Sequence, residues 1–303
     1  MRRARSRSPE FACAGSDVES RVIPQTGARP GGPSMSSTHA LSLSHVTCTF
    51  PARGAGRPAY TAVRDVDLGV DDGEFVAVVG PTGCGKSTLL NVVAGLIAPT
   101  AGEVRVFGAP LTGLNARAGY LFQGDALLPW RNALDNVAAG LEFRGVQRAE
   151  ARDRAAGWLK QVGLAAHAGK YPHEMSGGMR KRVALAQTWI LEPRILLMDE
   201  PFSALDVQTR QLMENALLEL WAQARRCVVF VTHDLDEAIA LADRVVVLSA
   251  GPASRPVAQF DIDLPRPRDV QEIALHPRFL ELHRAVWHAL KAEVMRAREH
   301  ADA

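Results

Sequence analysis

Cysteine is scarce in this chain: Cys13, Cys48, Cys84 and Cys227 are the four among 303 residues, and they stand without paired or metal-like spacing. That excludes a disulfide-held scaffold and a cysteine-based zinc module, and it suits a reducing cytosol. Long apolar runs are missing too. No stretch approaches the ~18 consecutive apolar residues of a membrane-spanning helix, so any membrane task falls to another subunit. Nor does one sign of charge dominate: the net value is +2, and its basic excess is local. Before residue 38, Arg2, Arg3, Arg5, Arg7, Arg21 and Arg29 face only Glu10, Asp17 and Glu19, which leaves the remainder near neutral with no call on a polyanion. Internal repeats are absent, and only one phosphate-loop string occurs.

What is present is a globular composition, 47% hydrophobic, long enough for one large α/β domain with additions or for two small domains. Residues 1–38 are rich in Arg, Ser, Pro and Gly without apolar periodicity, so disorder is expected there. Their acidic residues and missing apolar region argue against a transit peptide or secretory signal, and Met35 is an alternative start. From Leu41 the pattern alternates through Val46 to Phe50 and then Val63, Val66, Leu68 and Val70, as antiparallel strands do; Val104 to Phe107 continues it. About residues 125 to 190 the period turns helical, clearest at Ala149 to Val162 and Gly178 to Ile190. Apolar runs return at Ile195 to Met198, Val228 to Val231 and Val245 to Leu248, separated by helical stretches such as Val207 to Gln223. Strand alternating with helix predicts a parallel sheet covered on both faces, with its chemistry at the carboxyl ends of the strands.

One string dominates the chemistry. Gly80-Pro81-Thr82-Gly83-Cys84-Gly85-Lys86-Ser87, between a strand-like run and a helix-like run beginning at Thr88, fits G-x-x-x-x-G-K-[ST] and names its ligand class as a nucleoside triphosphate with magnesium. Glycines let backbone N–H groups turn onto phosphates, the helix N-terminus adds partial positive charge, Lys86 reaches the outer phosphates and Ser87 sits on the metal. Asp199, at the carboxyl end of the strand Ile195 to Met198, is placed to hold the metal, directly or through water. Glu200 points differently and is the candidate to orient or deprotonate an attacking water. Ser176 in N-cap position, followed by Gly177 and Gly178, opens a second helix N-terminus with Arg180, Lys181 and Arg182 in its first turn. Cations are unusual at that positive end, so an anion is expected there.

Met175-Ser176-Gly177-Gly178-Met179 resembles the signature segment of ABC transporter ATP-binding subunits. It lies in the family's order with Leu121-Phe122-Gln123, similar to the glutamine loop, Ser203-Ala204-Leu205-Asp206, similar to the D-loop, and Val231-Thr232-His233-Asp234, similar to the switch-histidine segment. The resemblance implies a P-loop NTPase (RecA-like) core with an antiparallel β subdomain and an inserted α-helical subdomain. The ATP-binding domain would span residues 39–252, with an extension carrying an amphipathic helix over 253–303. It implies ATP and Mg2+ as ligands, Gln123 on the metal, His233 on the terminal phosphate, and Thr88 and Asp206 among the nucleotide-site residues. Phe50 is expected to stack on adenine, with Tyr60 as the rival across the insert Pro51 to Pro58.

The family's arrangement also implies a homodimer in which each ATP lies between one chain's loop and the other's signature. Finer likeness, in Phe75 to Pro81, Leu127 to Val137 and Asp263-Leu264-Pro265-Arg266-Pro267-Arg268, points to the ATPases of nitrate, sulfonate and taurine importers. Transmembrane permease subunits, indirectly a solute-binding protein, and a peripheral place on the cytoplasmic face of the membrane follow from that. Met175, Met179, Lys181 and Gln187 depart from the commoner residues without removing a phosphate donor or the metal carboxylate. An exporter's ATPase would share every catalytic motif, and a non-transport relative acting on nucleic acid would usually carry a tandem cassette or coiled-coil inserts. The tail from Pro277 sets Phe279, Leu282, Val286, Leu290 and Val294 on one helical face, expected against its own domain or a permease rather than lipid.

Overall fold

Among the described residues, four strands are apolar at every interior position because they are buried on both faces, and they organise everything else. A computed structural model describes residues 21–22, 39–52 and 58–302. In chain order the strands and helices are β1 (Arg21–Val22), β2 (Leu41–Phe50), β3 (Tyr60–Val70), β4 (Phe75–Val79), α1 (Lys86–Val93), β5 (Ala101–Val106), β6 (Ala109–Pro110) and β7 (Ala118–Leu121). Next come α2 (Ala133–Phe143), α3 (Arg148–Gln161), α4 (Gly177–Trp189), β8 (Ile195–Asp199), α5 (Val207–Ala224), β9 (Cys227–Val231) and α6 (Leu235–Leu241). Last are β10 (Arg244–Leu248), β11 (Pro256–Asp261), α7 (Val270–Ile273) and α8 (Pro277–Asp302).

A seven-stranded sheet runs β1-β11-β10-β4-β9-β8-β7, parallel from β10 to β7, and a four-stranded antiparallel sheet runs β3-β2-β5-β6. Strand pleating sends alternate residues to opposite faces. Val76, Val78, Ile195, Leu197, Val229 and Val231 therefore pack with α1 and the antiparallel sheet. Phe75, Ala77, Leu196, Met198, Val228 and Phe230 pack with α5, α6 and α8 on the other side. The helices α2, α3 and α4 enclose a third core around Val137, Leu141, Leu159, Val183 and Ile190. α4 belongs to two cores at once: Val183 and Ile190 face the helical unit, while Leu185 and Trp189 face the main sheet.

Residues expected as an extension are built into the domain. β11 adds antiparallel to β10, and α8 seats Phe279, Leu282, Val286 and Leu290 in the core beside α6 and β10, with Val294 partly buried against it. Pro265-Arg266-Pro267-Arg268 is a clamp. The buried Arg268 guanidinium donates to the carbonyls of Ile239, Ala240, Ala242, Ile262 and Leu264, and burial pushes its pKa down to about 10. At the other end of the chain, Arg21–Val22 pairs with β11, a departure from the disorder expected across residues 1–38. The strand edge offers unpaired backbone groups, and two residues suffice to use them. The rest of that stretch, Met35 included, lies outside the described residues, as do residues 53–57 of the insert.

Each apolar side chain that α8 buries contributes about 1.5–3 kcal/mol. Leu282→Ala should lower the unfolding free energy by about 2–5 kcal/mol in urea titration, whereas Leu275→Ser, at a side chain 82% exposed, should change it by no more than about 0.5 kcal/mol.

Candidate functional site

The parallel strands end together, and the predicted residues gather at that end. β4 runs into the loop Gly80 to Gly85, and α1 starts at Lys86 with Gly85 as its N-cap in the left-handed region, φ 94°. A Cβ on Gly85 would come within 2.9 Å of Val63 Cγ1, so both conformation and space demand glycine. Lys86 folds over the loop, its Nζ donating to the carbonyls of Gly80 at 2.9 Å and Pro81 at 3.1 Å. Cys84 is buried, and burial pushes its thiol pKa up, which makes it an inert filler rather than a nucleophile.

At the end of β8, Ser87 Oγ donates to Asp199 Oδ1 at 3.0 Å. Burial holds the Asp199 carboxyl above its ordinary range, opposed by the Ser87 hydroxyl and the Lys86 charge and reinforced by neighbouring Glu200. Such a carboxylate calls for a cation, and the oxygen donors at hand, Asp199, Ser87 and the Gln123 amide, are those a hard divalent ion takes. Glu200 sits at φ 43°, a left-handed conformation that costs a non-glycine residue about 1–3 kcal/mol. Its N–H donates to the Val231 carbonyl at 2.8 Å, and its own carbonyl accepts from Ser203 Oγ at 3.0 Å, which hold the turn. The turn aims the side chain away from that of Asp199: Gln123 Nε2 donates to Glu200 Oε2 at 3.3 Å, and His233 Nδ1 lies 3.1 Å from the same oxygen. Residues from the ends of β7, β8 and β9 thus meet on one carboxylate.

Phe50 and Tyr60 are direct cross-strand partners. Phe50 packs against the core, whereas Tyr60 is 46% exposed and its hydroxyl donates to the Gly83 carbonyl at 3.4 Å. Of the two, Tyr60 is the one that touches the phosphate loop.

Ser176 caps α4 as expected, its Oγ accepting from Met179 N at 3.3 Å. The cations near that helix start have partners within their own chain. Arg180 Nε donates to Asp125 Oδ2 at 2.6 Å, Lys181 Nζ donates to the Gln123 carbonyl at 2.5 Å, and Arg182 reaches the Val162 carbonyl at 3.4 Å. Gly178 packs so closely on α5 that a Cβ would fall 2.5 Å from Thr209 Cγ2. Asp206 is the N-cap of α5, with its carboxylate accepting from Thr209 N at 3.0 Å; that bond holds its pKa below the usual range.

Sequence reasoning missed several supports. Asp125 gathers two cations of α4; Ser254 Oγ donates to the Cys84 carbonyl under the loop; Tyr120 stands beside Asp199 and donates to Asn91 Oδ1 at 3.2 Å. Arg210 on α5 bonds Asp234 Oδ2 at 2.9 Å and the Leu205 carbonyl at 3.3 Å, joining the D-loop to the switch segment. The signal for Arg210 was only its spacing from Asp206, and for Ser254 there was none, since 170 residues separate it from Cys84.

Comparisons with known proteins agree with this geometry. The family model described as ABC transporter matches residues 63–203. An ABC transporter ATP-binding protein of Methanocaldococcus jannaschii is 45% identical, covering 85% of this chain and 93% of that protein. The taurine import ATP-binding protein TauB of Pseudomonas aeruginosa is 43% identical over 81% of this chain and 94% of its own length. The nitrate import ATP-binding protein NrtD of Synechococcus elongatus is 39% identical over 82% and 92%. Among solved structures, a dimeric bacterial ABC transporter cassette superposes with a TM-score of 0.66 at 32% identity, covering 74% of this chain and all of that one, as does the same cassette in a post-hydrolysis state bound to ADP and Pi. With identity of this order to those three ATP-binding proteins over more than four fifths of its length, the chain belongs to the ABC transporter family as one of its ATP-binding ATPase subunits.

Proposed function

We propose that two copies of this chain pair head to tail around ATP and that its hydrolysis drives a separate permease importing nitrate, taurine, a sulfonate or a related small solute. The observation that carries this reading is the convergence of Gln123 and His233 on Glu200, next to Lys86, Ser87 and Asp199. One chain supplies the phosphate loop and the hydrolytic carboxylate. The signature terminus, engaged within its own chain by Asp125 and Thr209, serves the nucleotide of the second copy.

In this reading ATP draws the Lys86 ammonium from the Gly80 and Pro81 carbonyls onto phosphate oxygens, beside the N–H groups of the loop. Asp199, Ser87 and Gln123 would hold magnesium, which when bound neutralises charge developing on the phosphoryl oxygens. Glu200 orients the attacking water and accepts its proton, while His233 steadies that carboxylate and contacts the terminal phosphate. ADP and phosphate bridge the two chains less well than ATP, and this difference in affinity is what moves the partner. Trp130, 71% exposed beside the glutamine loop, and Phe143, 75% exposed on α2, offer the apolar surface for a permease. No helix among the described residues is long and apolar enough to cross a membrane. The subunit is then peripheral, on the cytoplasmic face, and any solute-binding protein acts through the permease. The TauB and NrtD relatives support the solute class.

Glu200→Gln should cut ATP turnover by about 10²–10⁴-fold and trap an ATP-bound dimer, read by phosphate release and by light scattering on a sizing column; a monomer at saturating ATP contradicts the pairing. Lys86→Ala should weaken ATP binding on the order of 10–100-fold, the worth of a charge-assisted bond, in calorimetry of the isolated chain. Gly178→Ala, whose Cβ meets Thr209, should reduce dimerisation and turnover while the monomer's ATP affinity, measured in the same calorimeter, stays at the wild-type value.

A further inference from the structure

One buried cation joins the signature helix to the glutamine loop inside a single chain. Lys181 is 3% exposed, and its Nζ donates to the carbonyls of Gln123 at 2.5 Å and Phe122 at 3.4 Å, with Asp125 Oδ1 at 3.5 Å. An ammonium in that position is costly twice over. It is out of water, and it stands about a turn and a half into α4, near the helix end that already carries positive partial charge. Burial indeed pushes its pKa below the ordinary lysine range. Its partners offset that cost, and they come chiefly from one place, the main chain at Phe122 and Gln123. Asp125, which Arg180 also grips at 2.6 Å, closes the loop onto the same helix turn. The side chain of Gln123, whose carbonyl Lys181 holds, is the one that donates to Glu200.

We propose that Lys181 is a positioning residue for hydrolysis: by holding the Gln123 carbonyl it sets the Gln123 amide against Glu200, and it makes the glutamine loop move with Ser176-Gly177-Gly178 at the start of the same helix. This rests on the reading that Gln123 and Glu200 serve the hydrolytic site. Lys181 lies a turn and a half along α4 from Ser176, a rigid lever of about 1.5 Å per residue. Engagement of the signature segment with the second copy's nucleotide therefore shifts the carbonyl that Lys181 holds. Each site is informed of the state of the other without any contact between the two nucleotides.

The test is steady-state ATP hydrolysis by the full chain in Lys181→Met, Lys181→Gln, Gln123→Ala and the Lys181→Met/Gln123→Ala pair, with melting temperatures alongside. Lys181→Met should lower kcat on the order of tenfold, the worth of one charged hydrogen bond, with KM for ATP unchanged. Lys181→Gln, whose amide N–H still reaches a carbonyl, should restore most of the rate, and in the Gln123→Ala background Lys181→Met should add nothing. The proposal is overturned if Lys181→Met turns over ATP at the wild-type rate, if it loses the same factor in the Gln123→Ala background, or if Lys181→Gln restores the melting temperature but not the rate. Wild-type turnover in Gln123→Ala would instead sink the reading of Gln123 on which the proposal stands, and the two failures are thereby separate. Should Gln123→Ala be too slow to measure, the split between kcat and KM in the two single variants decides.

Discussion

Two adjacent carboxylates at the end of a buried strand are the constraint on which the rest of this molecule depends. Asp199 and Glu200 stand side by side where β8 ends inside the domain, and burial, reinforced by the neighbouring Glu200, disfavours the charge on Asp199. The fold answers by bringing polar groups from three separate places: Ser87 from α1 to Asp199, and Gln123 from beyond β7 and His233 from beyond β9 to Glu200. The left-handed backbone at Glu200 keeps the acids divergent, one toward the phosphate-loop hydroxyl and the other toward the glutamine and histidine. A parallel sheet is what makes such a gathering possible, because its strands all deliver their carboxyl ends to one edge.

That sheet is stable because both its faces are dry. β4, β8, β9 and β10 alternate their side chains between two cores, so each strand is held by α1 and the antiparallel sheet on one side and by α5, α6 and α8 on the other. The C-terminal segment is part of this arrangement. Arg268 satisfies a group of carbonyls at the end of α6 that would otherwise be buried without donors, and α8 covers the apolar face beside β10. Glu293 on α8 accepts from the Ala250 N–H at 2.9 Å, and four residues on Ser254 supports the phosphate loop at the Cys84 carbonyl.

Polar links between the loops around the site are partly or fully buried. Arg210 ties Leu205 to Asp234, and Thr232 Oγ1 donates to Glu237 Oε2 at 2.6 Å just ahead of His233. Behind them burial and the nearby carboxylates Glu237 and Asp234 push the Glu214 carboxyl up to about 8, against the pull of Arg210. In a low-dielectric interior such bonds hold two segments in a definite relation, which exposed ion pairs do not.

What sequence alone determined was whatever a contiguous stretch must satisfy by itself. The phosphate loop was legible because its glycines, lysine and serine act through one turn and one helix end; the N-cap at Ser176, the strand before Asp199 and the apolar face of α8 were legible for the same reason. The strand end gave Glu200 and the family likeness gave Gln123 and His233 as site candidates, and the structure brings the three side chains together. Only tertiary structure paired Phe50 with Tyr60 across β2 and β3 and set Phe50 against the core with Tyr60 exposed beside the phosphate loop. It alone turned the cations of α4 inward onto Asp125 and the glutamine loop, and made a clamp of Arg268 and a wall of α8. The physical reason is the same in each case: a side chain's partner lies tens to hundreds of residues away, as Ser87 and Asp199 do at 112 residues apart, and local spacing carries no record of it.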